Sequence, residues 1–399
     1  MKTALVALLC VLALIAQPAF AETADSDVTT PKVEYRGGIY YLVLDAEEPY
    51  ERGLQHGRAL KLPIQLALRN FKDWLRVNAH AEDPERMIRD FATGTGYMEA
   101  VRTGAPDLHD EMRGIAAGAD VELRELFVYQ SFDELFLYLM KSGALEQGTG
   151  HCTTTAVYGR DTLPNIITHN NDIPTYHEAV GTVLRIRYPD SDLEILQATF
   201  AGQIGQNGVN NRGVAVGINT IADLPVAQSG IPVSFHVRRI LESGDRHAAV
   251  AYLETQEFGT AMNYMIADRE GVVSAETWAD NVAVLDHFPA GIAAHTNHSL
   301  QRDAPVVFKM DPSSGGGSYG FTHERLELAL DTLSEDPSAL TVMDVRRLQA
   351  TRPILVNPGS PSGRTLMAMM AAVPKTGSPI LYNTPDSPNW FETVEFRFD

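Results

Sequence analysis

The sequence predicts an α+β fold in which antiparallel sheets are covered by helices, and two observations carry that prediction. Up to about residue 142 the apolar residues recur three and four apart, the helical period; from Cys152 onward they gather in short β-branched runs between turn residues. These runs are grouped, interrupted by helical stretches and then resumed, an order that favours antiparallel sheets under helices over an alternating βαβ design.

The chain begins MKTALVALLCVLALIAQPAFA, with Lys2, an apolar run, and small Ala19 and Ala21 flanking Phe20, the layout of a cleavable secretory signal. The run is shorter than the roughly 20 residues needed to span a bilayer, and Pro18 closes it. Residues 1–21 are therefore expected to be removed, Glu22 to start the mature chain, and the protein to be secreted or periplasmic. Within 22–151, GIYYLVLD (38–45) reads as a strand. PYERGLQHGRALKLPIQLALRNFKDWLRV, PDLHDEMRGIAAGADV and RELFVYQSFDELFLYLM read as helices, and KSGALEQGTGH breaks the pattern as a loop.

Within 152–399, CTTTAVYG, NIITHN, GTVLRIRY, LEILQATF, GVAVGIN, NYMIAD, GVVSAET and NVAVLDH read as strands. VSFHVRRILES with HAAVAYLET, and THERLELALDTL, read as helices; LMAMMAAV, PILYN and TVEFRF supply late strands. The glycines of AGQIGQNG lack dinucleotide spacing, SSGGGS precedes no phosphate-loop lysine, and GSPSG has Pro361 where a hydrolase elbow has serine. All three read as turns.

With 44% apolar residues the chain can bury a substantial core, so 22–399 is expected to form one compact domain. The net charge of -19 argues against nucleic acid or anionic membrane surfaces as partners. Loss of the signal removes Cys10, which leaves Cys152 as the one cysteine and rules out an internal disulfide.

A cysteine at the first position of a strand, behind a glycine-rich loop, is placed to become an N-terminal nucleophile if the loop is cut before it. Such a cut frees an α-amino group of unperturbed pKa ~7.7–8.0, which can accept the proton of its own side chain. One residue then supplies both nucleophile and base.

CTTT, HNND, AGQIGQNGVNNRGVAVGIN, NYMIADREG, HTNH and SPILYNTPDSPNWFETVEFRF, preceded by ERGLQHG and EMRGIAAGADV, occur in an order that resembles the N-terminal nucleophile amide hydrolases of the penicillin acyltransferase family. Bile-salt hydrolases, penicillin V acylases and acid ceramidase are more distant members of that group. The resemblance implies a four-layer αββα sandwich of two antiparallel sheets, with 22–151 as a propeptide or small subunit. It also implies residue roles. Cys152 matches the nucleophile. In HNND, Asn170 and Asn171 precede Asp172, which matches the aspartate that binds the nucleophile's amino group. Asn219 and Asn297 match the asparagines that hold the oxyanion, a contribution of about 3–4 kcal/mol for a preorganised donor. Arg364 resembles an arginine lying near the nucleophile, where a guanidinium favours thiolate. One position departs from the family: His151 stands where glycine usually precedes the nucleophile.

His295 and His298 raise a metal alternative, but no H-E-x-x-H accompanies them and GIAAHTN reads as a strand end, so a structural role is expected. The expected activity is cleavage of a linear amide, or transfer of its acyl group, through a Cys152 thioester after self-cleavage at His151-Cys152. The substrate is a small acyl-amide, and no metal or organic cofactor is expected. The rivals are a lipid amide or phospholipid hydrolase on the same fold, and a binding protein that lost the chemistry.

Overall fold

The computed structural model describes residues 28–145, 151–307, 321–356, 364–385 and 392–398. The expected signal and mature start, SSGGGS and GSPSG lie outside them, as does part of the final quoted segment. A hairpin opens the fold, β1 (Glu34–Arg36) and β2 (Ile39–Leu44), turned by Gly37 and Gly38 at positive φ. Helices follow: α1 (Pro49–Ala59), α2 (Lys61–Asn78), α3 (Pro84–Gly94), α4 (Tyr97–Gly104), α5 (Pro106–Ala119), α6 (Leu123–Gln130) and α7 (Phe132–Lys141). Proline opens α1, α3 and α5, where its fixed φ suits the first turn and its missing N–H costs no hydrogen bond.

The strands begin with β3 (His151–Val157), β4 (Asn165–Ile173), β5 (Gly181–Arg187), β6 (Glu194–Phe200), β7 (Asn207–Asn210) and β8 (Ala215–Thr220). Helices α8 (Val233–Glu242) and α9 (Arg246–Leu253) come next, then β9 (Met262–Ala267), β10 (Val272–Trp278), β11 (Asn281–Leu285) and β12 (Ile292–His295). Helices α10 (Thr322–Ser334) and α11 (Val342–Gln349) precede β13 (Arg364–Val373), β14 (Ile380–Pro385) and β15 (Val394–Arg397).

Among the described residues the strands form two sheets, ordered β1-β2-β5-β6-β7-β8-β9-β10-β11 and β12-β3-β4-β13-β14-β15. Every pairing is antiparallel except β2 with β5, which run parallel from Tyr40↔Thr182 to Leu44↔Ile186. Parallel neighbours require a long crossover, and here the helices α1 to α7 with β3 and β4 provide it. The sheets lie face to face: a Cβ on Gly217 of β8 would come within 2.9 Å of the Thr154 methyl on β3. On the outer face of the smaller sheet, Ala329 and Leu333 of α10 and Val345 and Leu348 of α11 pack with Val157, Ile166 and Met370. On the larger sheet α8 and α9 pack over β7 to β10. The layers are thus helix, sheet, sheet, helix, an α+β sandwich.

Two devices bind the helical section to this core. Helices α1 and α5 cross in backbone contact: a Cβ on Gly53 would lie 2.0 Å from Glu111 O, and one on Gly114 would lie 2.0 Å from Tyr50 O, so no larger residue fits. Beside the crossing, fully buried Glu111 accepts from Arg52 Nε at 2.9 Å and from Arg238 Nη1 of α8 at 3.1 Å. Arg238 also donates to Gln197 Oε1 on β6 and to Ile204 O, which satisfies its fork.

Candidate active site around Cys152

Strand β3 sits between β12 and β4, and Cys152, its second residue, lies opposite Asn171 of β4. The cysteine is free and only 7% exposed. Just past β12, Asn297 turns its carboxamide oxygen to Cys152, whose backbone N–H donates to Oδ1 at 3.1 Å. Arg325 of α10 donates from Nη2 to the same Oδ1 at 2.8 Å, and from Nη1 to the Cys152 carbonyl oxygen at 2.6 Å and to Thr153 Oγ1 at 3.0 Å. Two donors on one atom assign the carboxamide's orientation. Its Nδ2 spends one hydrogen on Thr220 O at the end of β8, at 3.0 Å, and keeps a second.

The Cys152 sulfur lies 3.7 Å from Asn171 Oδ1. Burial pushes the thiol well above the ordinary cysteine range; the charges of Asp172 and Asp133 push the same way, against Arg325 and the Asp172 backbone amide. At neutral pH the thiol keeps its proton, so nucleophilic attack needs a base. Asp172 is itself buried, and loss of solvent raises its carboxyl to about 7 despite a hydrogen bond from Thr365 Oγ1 and the nearby Arg325 charge. Among the described residues, Asp172 Oδ2 and Asn171 Nδ2 have no hydrogen-bond partner, unlike most buried polar atoms.

A narrow pocket opens beside the sulfur. Its apolar wall comes from Phe132 and Phe136 of α7 with Ile173 and Ile218; Asp133 and Thr220 add polar groups. Asp133 Oδ1 accepts from Thr220 Oγ1 at 2.6 Å, and burial raises this carboxyl to about 6.

Of the residues singled out in the sequence, Cys152, Asp172 and Asn297 meet here, together with Asn171. The others stand elsewhere. Asn219 ties the sheets together: its Oδ1 accepts from Thr154 Oγ1 at 2.6 Å and from Asn263 Nδ2 at 3.0 Å, and its Nδ2 donates to His295 O. Its neighbours Ile218 and Thr220 line the pocket, since adjacent strand residues face opposite ways. Asn170 faces α11, exchanging hydrogen bonds with Gln349 and donating to Ile354 O. Arg364, opposite Ile173 at the start of β13, pairs with Glu178 at 2.5 Å. His295 and His298 serve separate partners: His295 Nε2 lies 2.9 Å from Glu276 Oε1, while the His298 ring stacks on His323 and its Nδ1 meets Thr322 Oγ1.

Arg325 and Asp133 escaped the sequence reading. For Arg325 a signal existed: on α10 it shares the buried face with Thr322, Ala329 and Leu333, at helical spacing, so the pattern sets a cation among inward positions. Asp133 sits in FDELFLYLM, where a carboxylate among almost continuous apolar residues is the signal.

The acyl-coenzyme A:6-aminopenicillanic acid acyl-transferase family pattern matches residues 159–327. The 40 kDa form of acyl-coenzyme A:6-aminopenicillanic-acid-acyltransferase from Emericella nidulans is 26% identical over 283 residues, which cover 70% of this chain and 74% of that one. The chain is a relative of these acyl-transferases. It is accordingly an enzyme, similar to these acyl-transferases over the matched residues. The family match starts just after Cys152, takes in Asn170, Asp172, Asn219, Asn297 and Arg325, and stops short of Arg364. Among solved structures, a variant of the conjugated bile acid hydrolase of Clostridium perfringens has a TM-score of 0.42 at 12% identity, over 62% of this chain and 97% of that one. The penicillin V acylase of Agrobacterium tumefaciens has a TM-score of 0.41 at 12% identity, over 62% and 86%.

Proposed function

We propose that this acyl-transferase relative is an exported cysteine amidase or acyltransferase, activated by scission of the His151-Cys152 bond. In the activating step Sγ attacks the His151 carbonyl carbon and the Cys152 nitrogen leaves as an amine, giving a thioester. Water then releases the His151 carboxylate and restores the thiol. In turnover the α-amine takes the thiol proton, the thiolate attacks a substrate amide, and the proton passes to the leaving nitrogen. Water or a second amine resolves the acyl-thioester. The free hydrogen of Asn297 Nδ2 is the donor for the oxyanion, and Arg325 holds that carboxamide in place.

The observation that carries this reading is the buried, unpartnered Oδ2 of Asp172, opposite His151 in the strand register and so beside the bond to be cut. A new ammonium group there meets a waiting acceptor. That pairing also lowers the Asp172 carboxyl from about 7, so that it is charged when the enzyme works.

The test is the intact mass and N-terminal sequence of the purified full-length protein and of its Cys152→Ala variant. The expected outcome is two associated fragments in the wild type, the second beginning with Cys152, and an uncut variant. A wild type that hydrolyses amides while its Cys152 stays in peptide linkage overturns the activation step.

A further inference from the structure

Asn297 lies beyond the last paired residue of β12, so the sheet ladder does not fix it. Its backbone is held by single bonds: its N–H donates to Thr322 Oγ1 at 2.9 Å, and its carbonyl oxygen accepts from the Ala222 N–H at 3.3 Å. One carboxylate grips the chain on both sides of it. Fully buried Glu276 of β10 meets His295 Nε2 at 2.9 Å through Oε1, which also accepts from the Leu300 N–H at 2.6 Å. Its Oε2 accepts from Ser299 Oγ at 2.5 Å. Burial works to raise the Glu276 carboxyl, yet the hydrogen bond and charge of His295, with the donors from Ser299 and Leu300, hold it below its ordinary value.

The other ring nitrogen supplies a second observation. His295 Nδ1 lies 2.9 Å from Thr296 O, so each nitrogen faces an acceptor and each must carry a hydrogen. The ring is thus a buried imidazolium that ties β10 of the larger sheet to the end of β12 in the smaller one. Such a pair adds little stability over an apolar contact of equal volume, because desolvation cancels much of the attraction. Its use lies in fixed geometry. We infer that Glu276 and His295 are positioning residues for the oxyanion donor, holding the 295–300 segment so that the free hydrogen of Asn297 Nδ2 meets the carbonyl attacked by Cys152. The role rests on the amidase reading, which gives Asn297 that task. Both residues act through Asn297 and not on the substrate itself.

The test separates two reactions of one sulfur in the purified full-length protein, with Cys152→Ala as background. Acylation by p-nitrophenyl acetate passes through a tetrahedral oxyanion and releases p-nitrophenolate as the thioester forms. Alkylation by iodoacetamide displaces iodide and forms no oxyanion. Glu276→Gln and His295→Gln are expected to lower the acylation rate constant about tenfold and to leave alkylation within about twofold of wild type. In an Asn297→Ala background neither should lower acylation further. Equal losses in both reactions, or a loss that adds in full to that of Asn297→Ala, overturn the role and leave the pair as a support of the fold. Should those variants not fold, Ser299→Ala takes a single donor from Glu276 and is expected to slow acylation alone, by about threefold; no such loss overturns the role as well. A wild type without Cys152-dependent acylation defeats the amidase reading. The positioning then stands where Glu276→Gln shifts the side-chain amide resonance of Asn297, assigned with Asn297→Ala, and falls where it does not.

Discussion

Arg325 Nη1 donates to the carbonyl oxygen of Cys152 at 2.6 Å, so a fully buried guanidinium on α10 grips the backbone of the residue that carries the sulfur. The same side chain fixes Asn297, and its positive charge draws the thiol's titration down against the effect of burial.

Arg325→Gln removes that charge and frees the Asn297 carboxamide. The pH profile of Cys152 alkylation is expected to move upward by about one unit or more, and kcat/KM for any amide turned over to fall by about 10². Arg325→Lys keeps the charge and restores the alkylation profile without restoring kcat, because a single ammonium cannot reach Cys152 O, Thr153 and Asn297 together. An unchanged profile in Arg325→Gln would separate this residue from the thiol.

In the uncut Cys152→Ala chain, Asp172 and Glu134 are harder to ionise folded than unfolded, because burial raises them to about 7 and about 8 from 3.8 and 4.5. Between those limits the folded chain holds the extra proton, so the stability these two groups contribute is greatest on the acid side and declines as the pH rises from about 4 to about 8. Denaturant midpoints of Cys152→Ala with and without Asp172→Asn measure this. The second substitution is expected to flatten the decline most between about pH 4 and 7.

Buried histidines set the opposite limb. Burial lowers His56 to about 4 and His169, His177 and His236 to about 3, from 6.5. The unfolded chain then binds protons that the folded chain refuses, so the stability these histidines contribute is lost as the pH drops below about 6.5. His177→Gln should shift the acid midpoint of unfolding to lower pH, read by circular dichroism.

Glu111→Gln leaves Arg52 and Arg238 facing each other without their shared counter-charge. Loss of one member of such a buried cluster costs about 3–5 kcal/mol, measured as a lowered denaturant midpoint. Amide-cleaving activity per folded molecule should stay near wild type, since the cluster lies at the α1–α5 crossing and not in the pocket.

Much of this architecture is readable from residue order. Short apolar and β-branched runs such as NYMIAD and GVVSAET become β9 and β10, whose residues are buried on both faces. β7 was hidden by AGQIGQNG, where glycines that signal turns also let a strand pass close to Leu196 O on β6. Helix α11 was missed although Thr341 and Asp344 form a capping box, since its eight residues show too few apolar positions for a clear period. At the site, residues set by backbone neighbourhood were legible: β3 and β4 pair in register, so Cys152 implies Asn171 and Asp172. Arg325, Asp133, the aim of Asn170 toward α11 and that of Asn219 between the sheets depend on how separate layers are stacked. No local spacing encodes that.

The parallel lane between Tyr40–Leu44 and Thr182–Ile186 bears on how an activated form is handled in the laboratory. Scission ahead of Cys152 would leave the lighter piece supplying the two edge strands of the largest sheet, paired through β2 to the heavier piece's β5, with Glu111 clamped by an arginine from each piece. Gel filtration would report a single particle, electrophoresis in detergent would resolve two bands, and a heavy piece expressed by itself would expose a raw sheet edge and precipitate.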